Sequence, residues 1–222
     1  MSCADPCHDE DVFGVLEDGT PIAELNDATF NRGEVIKACP GEFGPQFAVK
    51  KREFSVRSSI DLHLVGAGAD RTVILGDGHP VIVLDSMDSV SITDVTLREG
   101  AQDVGLIGGG AASVRGEALF QRVHFVDNEN RYGGAFAVTD AEVTIRDSFL
   151  SGNRARNVGN GAALFQPGGR LVSINTVWGV DGEERPQNIA IYTRDWELLA
   201  VWTPEPGVDF VCDADRARCR EL

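Results

Sequence analysis

One spacing governs what this chain can fold into. The pairs Leu62/Leu64, Val90/Ile92, Ala118/Phe120, Val143/Ile145 and Val172/Ile174 each place two apolar residues around one that can face outward. That is the period-2 pattern of a strand with one buried face. The second members are spaced 28, 28, 25 and 29 residues apart. Self-similarity at such a period marks an array of stacked units, because a unit this short cannot bury its own apolar face and needs its neighbours. The spacing predicts that Leu64, Ile92, Phe120, Ile145 and Ile174 stack inward as one column.

The rest of each repeat keeps register. Asp94-Val95-Thr96-Leu97, Arg122-Val123-His124-Phe125 and Asp147-Ser148-Phe149-Leu150 follow their pairs at matching positions. Asn128 and Asn153 then recur, followed by Gly133-Gly134-Ala135-Phe136 and Gly161-Ala162-Ala163-Leu164. Each repeat therefore reads as about three short strands and no helix. The asparagines suit turns, since Asn tolerates the left-handed conformation and its amides can stack as a ladder. The glycine strands read as packing requirements, there being no phosphate-loop pattern.

These residues carry a resemblance. Phe125-Val126-Asp127-Asn128 followed by Gly133-Gly134-Ala135 resembles the FxxN and GGA repeats of bacterial polymorphic outer-membrane proteins, with Leu150-Ser151-Gly152-Asn153 and Gly161-Ala162-Ala163 as a degenerate copy. Leu62 to Ile74 and Ile36-Lys37-Ala38-Cys39-Pro40-Gly41 are similar to the first coils of pectate-lyase-like proteins. The resemblance spans roughly residues 33 to 192. It implies an all-β chain built as a right-handed, single-stranded parallel β-helix of about five to six coils with short terminal caps. It says little about activity, because one fold hosts many functions.

The domain reading follows: an acidic leader or cap over 1–30, repeats over 31–195, and a cap with a disulfide tail over 196–222. The leader holds eight acidic residues and no Lys or Arg, which reads as a solvated segment. A short helix over Glu24-Leu25-Asn26-Asp27-Ala28 can close the first coil, whose bare strand edge would otherwise recruit other chains. Val35-Ile36, Phe47-Ala48-Val49 and Phe54-Ser55-Val56 read as strands of that coil, with a turn at Pro40-Gly41. The net charge of −15 argues against a nucleic-acid partner, and no apolar run is long enough to span a membrane.

Cys3, Cys7, Cys39, Cys212 and Cys219 all lie outside the central repeats. They suggest an oxidising compartment, with Cys212–Cys219 and either Cys3–Cys7 or Cys3–Cys39 as expected bonds. Cys3 is also a candidate lipid-anchor site. No signal peptide precedes it, so Met1-Ser2 reads as a start placed on a mature sequence. Cys3-Ala4-Asp5-Pro6-Cys7-His8 is one residue longer than a haem-attachment motif, and Cys3, Cys7, His8 and Cys39 are permissible zinc ligands; a disulfide or free thiols are the simpler account of both.

Three groups of residues are candidate sites. Asp94, Arg122 and Asp147 form one stacked column and Thr96, His124 and Phe149 the next outward one, so that Asp94, Arg122, His124 and Asp147 converge within two or three coils, and acid/base glycan chemistry uses such groups. The Asp94, Arg122 and Asp147 column also reads as a charge ladder of alternating sign, which a parallel sheet favours. Lys50, Lys51, Arg52 and Arg57 form a basic cluster that can bind an acidic polysaccharide or an anionic lipid surface, or remain a solvated strand flank. Asp127, Asn128 and Glu129, with Asn130, can hold calcium or form a polar turn. Motifs of the catalytic β-helix families are missing: Ile92-Thr93-Asp94 only faintly echoes the Asn-Thr-Asp of polygalacturonases. Trp196, Trp202 and Phe210 either stack on sugar rings or seal the last coil.

The reading is a non-catalytic bacterial surface or secreted module, extracellular, cell-surface or periplasmic, binding a glycan or protein partner without a cofactor. The alternatives are a polysaccharide lyase or glycoside hydrolase acting on an acidic polysaccharide, and a structural component of an envelope assembly.

Overall fold

The computed structural model describes residue 7 and residues 12–23, 35–44, 55–56, 62–84, 89–102, 109–156, 161–181, 183–195 and 197–222. These residues form strands and turns without an α-helix. The chain winds as a β-solenoid of about four turns with parallel sheets. The first sheet has 15 strands, the second six and the third three.

The register agrees with the sequence at four of the five predicted inward positions. Leu64 lies beside Ile92, Ile92 beside Phe120, and Phe120 beside Ile145. All four are fully buried, and Ile36 extends the column upstream beside Leu64. The fifth position is corrected: Ile145 lies beside Ser173, not Ile174. In the strand Arg170–Ile174 the inward residues are Leu171 and Ser173. The Ser173 hydroxyl accepts the Trp178 indole N–H at 3.0 Å, which satisfies both polar groups inside an apolar core.

The second sheet supplies the facing wall. Phe43, Ile74, Leu97, Phe125, Leu150 and Trp178 run in register and are buried. Ring contacts thread the core from Phe120 to Phe125, Phe136, Trp178, Phe210 and Trp202, with centroids 4.4–6.1 Å apart. Of the two glycine-rich segments, Gly161–Phe165 is a separate short strand and the earlier one is not. Gly133–Arg146 runs unbroken from the Gly-Gly-Ala segment into the Val143/Ile145 pair, and Ala112–Gln121 does the same one coil earlier. Their mutual register shifts between Val114 and Gly116, the mark of a β-bulge or similar irregularity. Gly134 answers a packing need, since a Cβ there would lie 2.5 Å from the Arg154 nitrogen.

Both ends carry antiparallel caps. At the start, residues 12–23 include a short hairpin. Gly14–Val15 pairs with Pro21–Ile22 and with Val35–Ala38, and Phe13 is fully buried. The hairpin turns at Asp18-Gly19, where Gly19 adopts a φ of 86° and the Asp18 carboxylate accepts the Thr20 N–H at 2.9 Å. The Thr20 hydroxyl, together with that backbone bond, holds the exposed Asp18 carboxyl below its ordinary range. The expected helix over 24–28 and the strand over 47–49 lie outside the described residues. At the far end, Leu198–Trp202 covers Ile189–Tyr192, and Phe210–Asp213 covers Arg170–Ile174 and pairs with Arg218–Glu221. Such caps close strand edges that would template other chains.

Two disulfides staple the caps: Cys7–Cys39 and Cys212–Cys219. The second was expected. The first corrects the assignment of Cys39 or Cys7 to Cys3, which lies outside the described residues. It joins the first cap to the first coil and engages both sulfurs, which removes them from the haem and zinc readings. Two disulfides suit an oxidising compartment. Among the described residues no helix is long and apolar enough to cross a membrane.

Candidate functional site

Asp94, Arg122 and Asp147 occupy equivalent turns between the first and second sheets. Each adopts a left-handed backbone, with φ of 58°, 52° and 51°, and Asn175 continues the series at 45°. The side chains engage one another along the stack. Arg122 donates from Nε and Nη2 to both Asp94 carboxylate oxygens, at 2.6 and 2.7 Å. Asn175 donates to Asp147 at 2.6 Å. The Asp94 pair, with a smaller contribution from Asp147, holds the Arg122 guanidinium above its ordinary range. Half of the Arg122 side chain is exposed. Asp94 therefore has both carboxylate oxygens engaged by the Arg122 guanidinium.

His124 stands in the neighbouring column, as its repeat position predicts. It lies on the outward face of the second sheet between Thr96 and Phe149, in register with both. Its ring meets Phe149 edge-on at 5.7 Å. No side-chain hydrogen bond links it to Asp94, Arg122 or Asp147.

The next turn separates the calcium candidates. Asp127 is exposed, whereas Asn128 and Asn130 are buried. Glu129 is half-buried and forms an ion pair with Arg156. No cluster of three or more His, Cys, Asp or Glu side chains is arranged for a metal ion among the described residues. The Asn128 side chain is instead committed to the fold. Its oxygen accepts the Gly100 N–H at 2.9 Å, and its amide donates to Leu97 O at 3.0 Å and to the Asn153 side-chain oxygen at 2.8 Å. Asn153 repeats the pattern by donating to Phe125 O at 2.8 Å. The ladder matches expectation, with one correction: the left-handed residue is the one before each asparagine, Asp127 or Gly152.

Lys50, Lys51, Arg52 and Arg57 lie outside the described residues, as does Trp196. Trp202 and Phe210 pack on each other, with centroids 4.4 Å apart, and close the core at its end. These two serve as sealing residues.

The most extended surface is the outward face of the first sheet. One row runs in register through His63, Ser91, Leu119, Thr144, Val172, Val211 and Arg220. At ~4.8 Å per strand it extends about 29 Å. The adjacent row runs through Glu117, Glu142, Arg170, Asp213 and Arg218. Two hollows open at its end. One, of about 410 Å³, is lined by Glu117, Asp140, Glu142, Gly168, Asp215 and neighbours. The other, of about 180 Å³, is lined by Arg170, Val211, Asp213, Arg216, Arg218 and Arg220. Arg170 and Asp213 line both, so the hollows are contiguous. Sequence reasoning missed this region. The signal was Arg218-Cys219-Arg220, two arginines on one face of a strand whose other face holds a bonded cysteine.

No protein-family model, no curated protein and no solved structure matches this chain. Its class is defined by its own geometry: a disulfide-capped β-solenoid with one long outward sheet face.

Proposed function

We propose that the chain is a non-catalytic module of a bacterial surface or secreted protein, binding a glycan or a protein partner along the outward face of its first sheet. We take the coil to be right-handed, with five to six coils when partial ones are counted, in line with its resemblance to pectate-lyase-like and polymorphic outer-membrane-protein repeats. The observation that supports binding is the unbroken registered row from His63 to Arg220, which offers both polar and apolar contacts over several strands. A rigid, preformed face of this kind lowers the ordering cost of association. The commitment of Asp94 to Arg122 supports a binder over a lyase or hydrolase.

A glycan array probed with the wild-type protein and with Leu119→Glu/Thr144→Glu tests the reading. The wild type should retain a defined subset of glycans, and the variant should lose at least tenfold in signal. An unchanged signal in the variant, or release of reducing or unsaturated ends from a retained polymer, would overturn it.

A further inference from the structure

We propose that the arginine hollow on the C-terminal hairpin binds the oxyanion of a phosphate or sulfate monoester carried on a sugar. The inference rests on the glycan reading above for the sugar, and on the hollow alone for the oxyanion. Strand alternation puts Arg218 and Arg220 on one face and Cys219 on the other. The Cys212–Cys219 bond fixes that choice, because Cys212 is fully buried. Register then places Arg218 beside Asp213, which lies beside Arg170, and places Arg220 beside Val211.

The charge there is unbalanced. Four guanidiniums and one carboxylate line a space of about 180 Å³. Asp213 pairs with Arg216 at 3.4 Å, and Arg170 pairs with Glu142. Arg218 and Arg220 have no carboxylate partner among the described residues. The chain carries 35 acidic residues against 20 basic ones, yet the cross-strand neighbour of Arg220 is an apolar valine. Gathered like charge opposes folding, and an oxyanion filling the hollow relieves it. Val211 points outward but is only 6% exposed, so the guanidiniums rim a largely dehydrated floor. Their planar forks match tetrahedral oxyanions in two-bond contacts.

The adjoining hollow indicates what carries the oxyanion. Glu117, Asp140 and Asp215 can accept hydroxyl hydrogen bonds beside the arginines, as a sugar ring requires. A nucleic acid or an anionic membrane would instead face the net charge of −15 over a broad surface.

Titration calorimetry at low salt with inorganic phosphate, glucose 6-phosphate and glucose tests this on the full chain. Both phosphates should bind, glucose 6-phosphate more tightly. Arg218→Ala/Arg220→Ala should weaken both at least tenfold without lowering the thermal midpoint of the free protein, since repulsion is relieved, and Arg220→Glu should do the same. Reducing the Cys212–Cys219 bond should also weaken them by freeing the hairpin. Binding of inorganic phosphate but not of glucose 6-phosphate would uphold the oxyanion hollow and defeat its sugar component. Failure of both phosphates to bind, or binding that the arginine substitutions leave intact, would overturn the proposal, whatever the glycan array shows.

Discussion

The side-chain oxygen of Asn153 accepts two hydrogen bonds from Asn128, one coil away: 2.8 Å from the side-chain amide and 3.3 Å from the backbone N–H. Both residues are essentially inaccessible to water. The solenoid thus closes one of its turns with a buried amide ladder. Asn128→Ala should cost about 2–4 kcal/mol, because it removes the acceptor of the buried Gly100 N–H and the amide's bonds to the Leu97 carbonyl and the Asn153 oxygen, leaving the latter only the backbone N–H of residue 128. Urea unfolding checks this. A loss below about 1 kcal/mol would mean that water replaces the ladder.

The Asp94–Arg122 pair should contribute far less. It is half exposed, and such pairs are worth about 0.2–1 kcal/mol. Arg122→Ala should fall in that range and lose its effect in high salt. At φ 52° the backbone favours glycine. Arg122→Gly should therefore be more stable than Arg122→Ala, the reverse of the order at an ordinary strand position. Thermal melts of the two variants decide it.

Asp181 carries a pH signature. Burial alone pushes its carboxyl up. Hydrogen bonds from the Arg185 guanidinium and from the Arg185 and Glu183 N–H groups outweigh that and hold it below its ordinary value of 3.8. A carboxyl lowered in the folded state stabilises the fold above its unfolded value. This contribution shrinks as pH falls below about 3.8 and is gone below the lowered folded-state value. Asp181→Asn should cost about 1–3 kcal/mol at neutral pH, and the gap to wild type should narrow below that pH. Chemical unfolding across a pH series measures both.

Loss of either disulfide should act on its own end. Cys212→Ser/Cys219→Ser opens a short loop, for which chain entropy gives about 2.5 kcal/mol, and Cys7→Ser/Cys39→Ser a longer one, about 3.7 kcal/mol. Hydrogen exchange should show lost protection in the adjoining cap and little change in the strands around Phe120, because each coil contacts mainly its neighbours.

Four inward positions were legible because their spacing and apolar alternation agree. The last coil misled for a physical reason. Arg170–Ile174 puts Val172 on the partly exposed outward face, beside Val211, while Ser173 sits inside against Trp178. Period-2 reading cannot choose a face when apolar residues stand on both, as Leu171 and Val172 do here. The first cap left a weaker trace, an Asp18-Gly19 turn between strands of only two residues. Disulfide partners depend on which ends the winding brings together, which cysteine spacing does not encode. Asp94 and Arg122 were readable as neighbours from their spacing, whereas the arginine hollow required the antiparallel return of the tail.

The central claim is that this face binds without cutting. Its most direct measurement is the chain length of a polymer recovered from its complex with the protein, followed by light scattering over hours. Retention on the protein with unchanged length is the predicted result. Shortening of the polymer by the wild type, abolished by Arg122→Ala, would contradict the account.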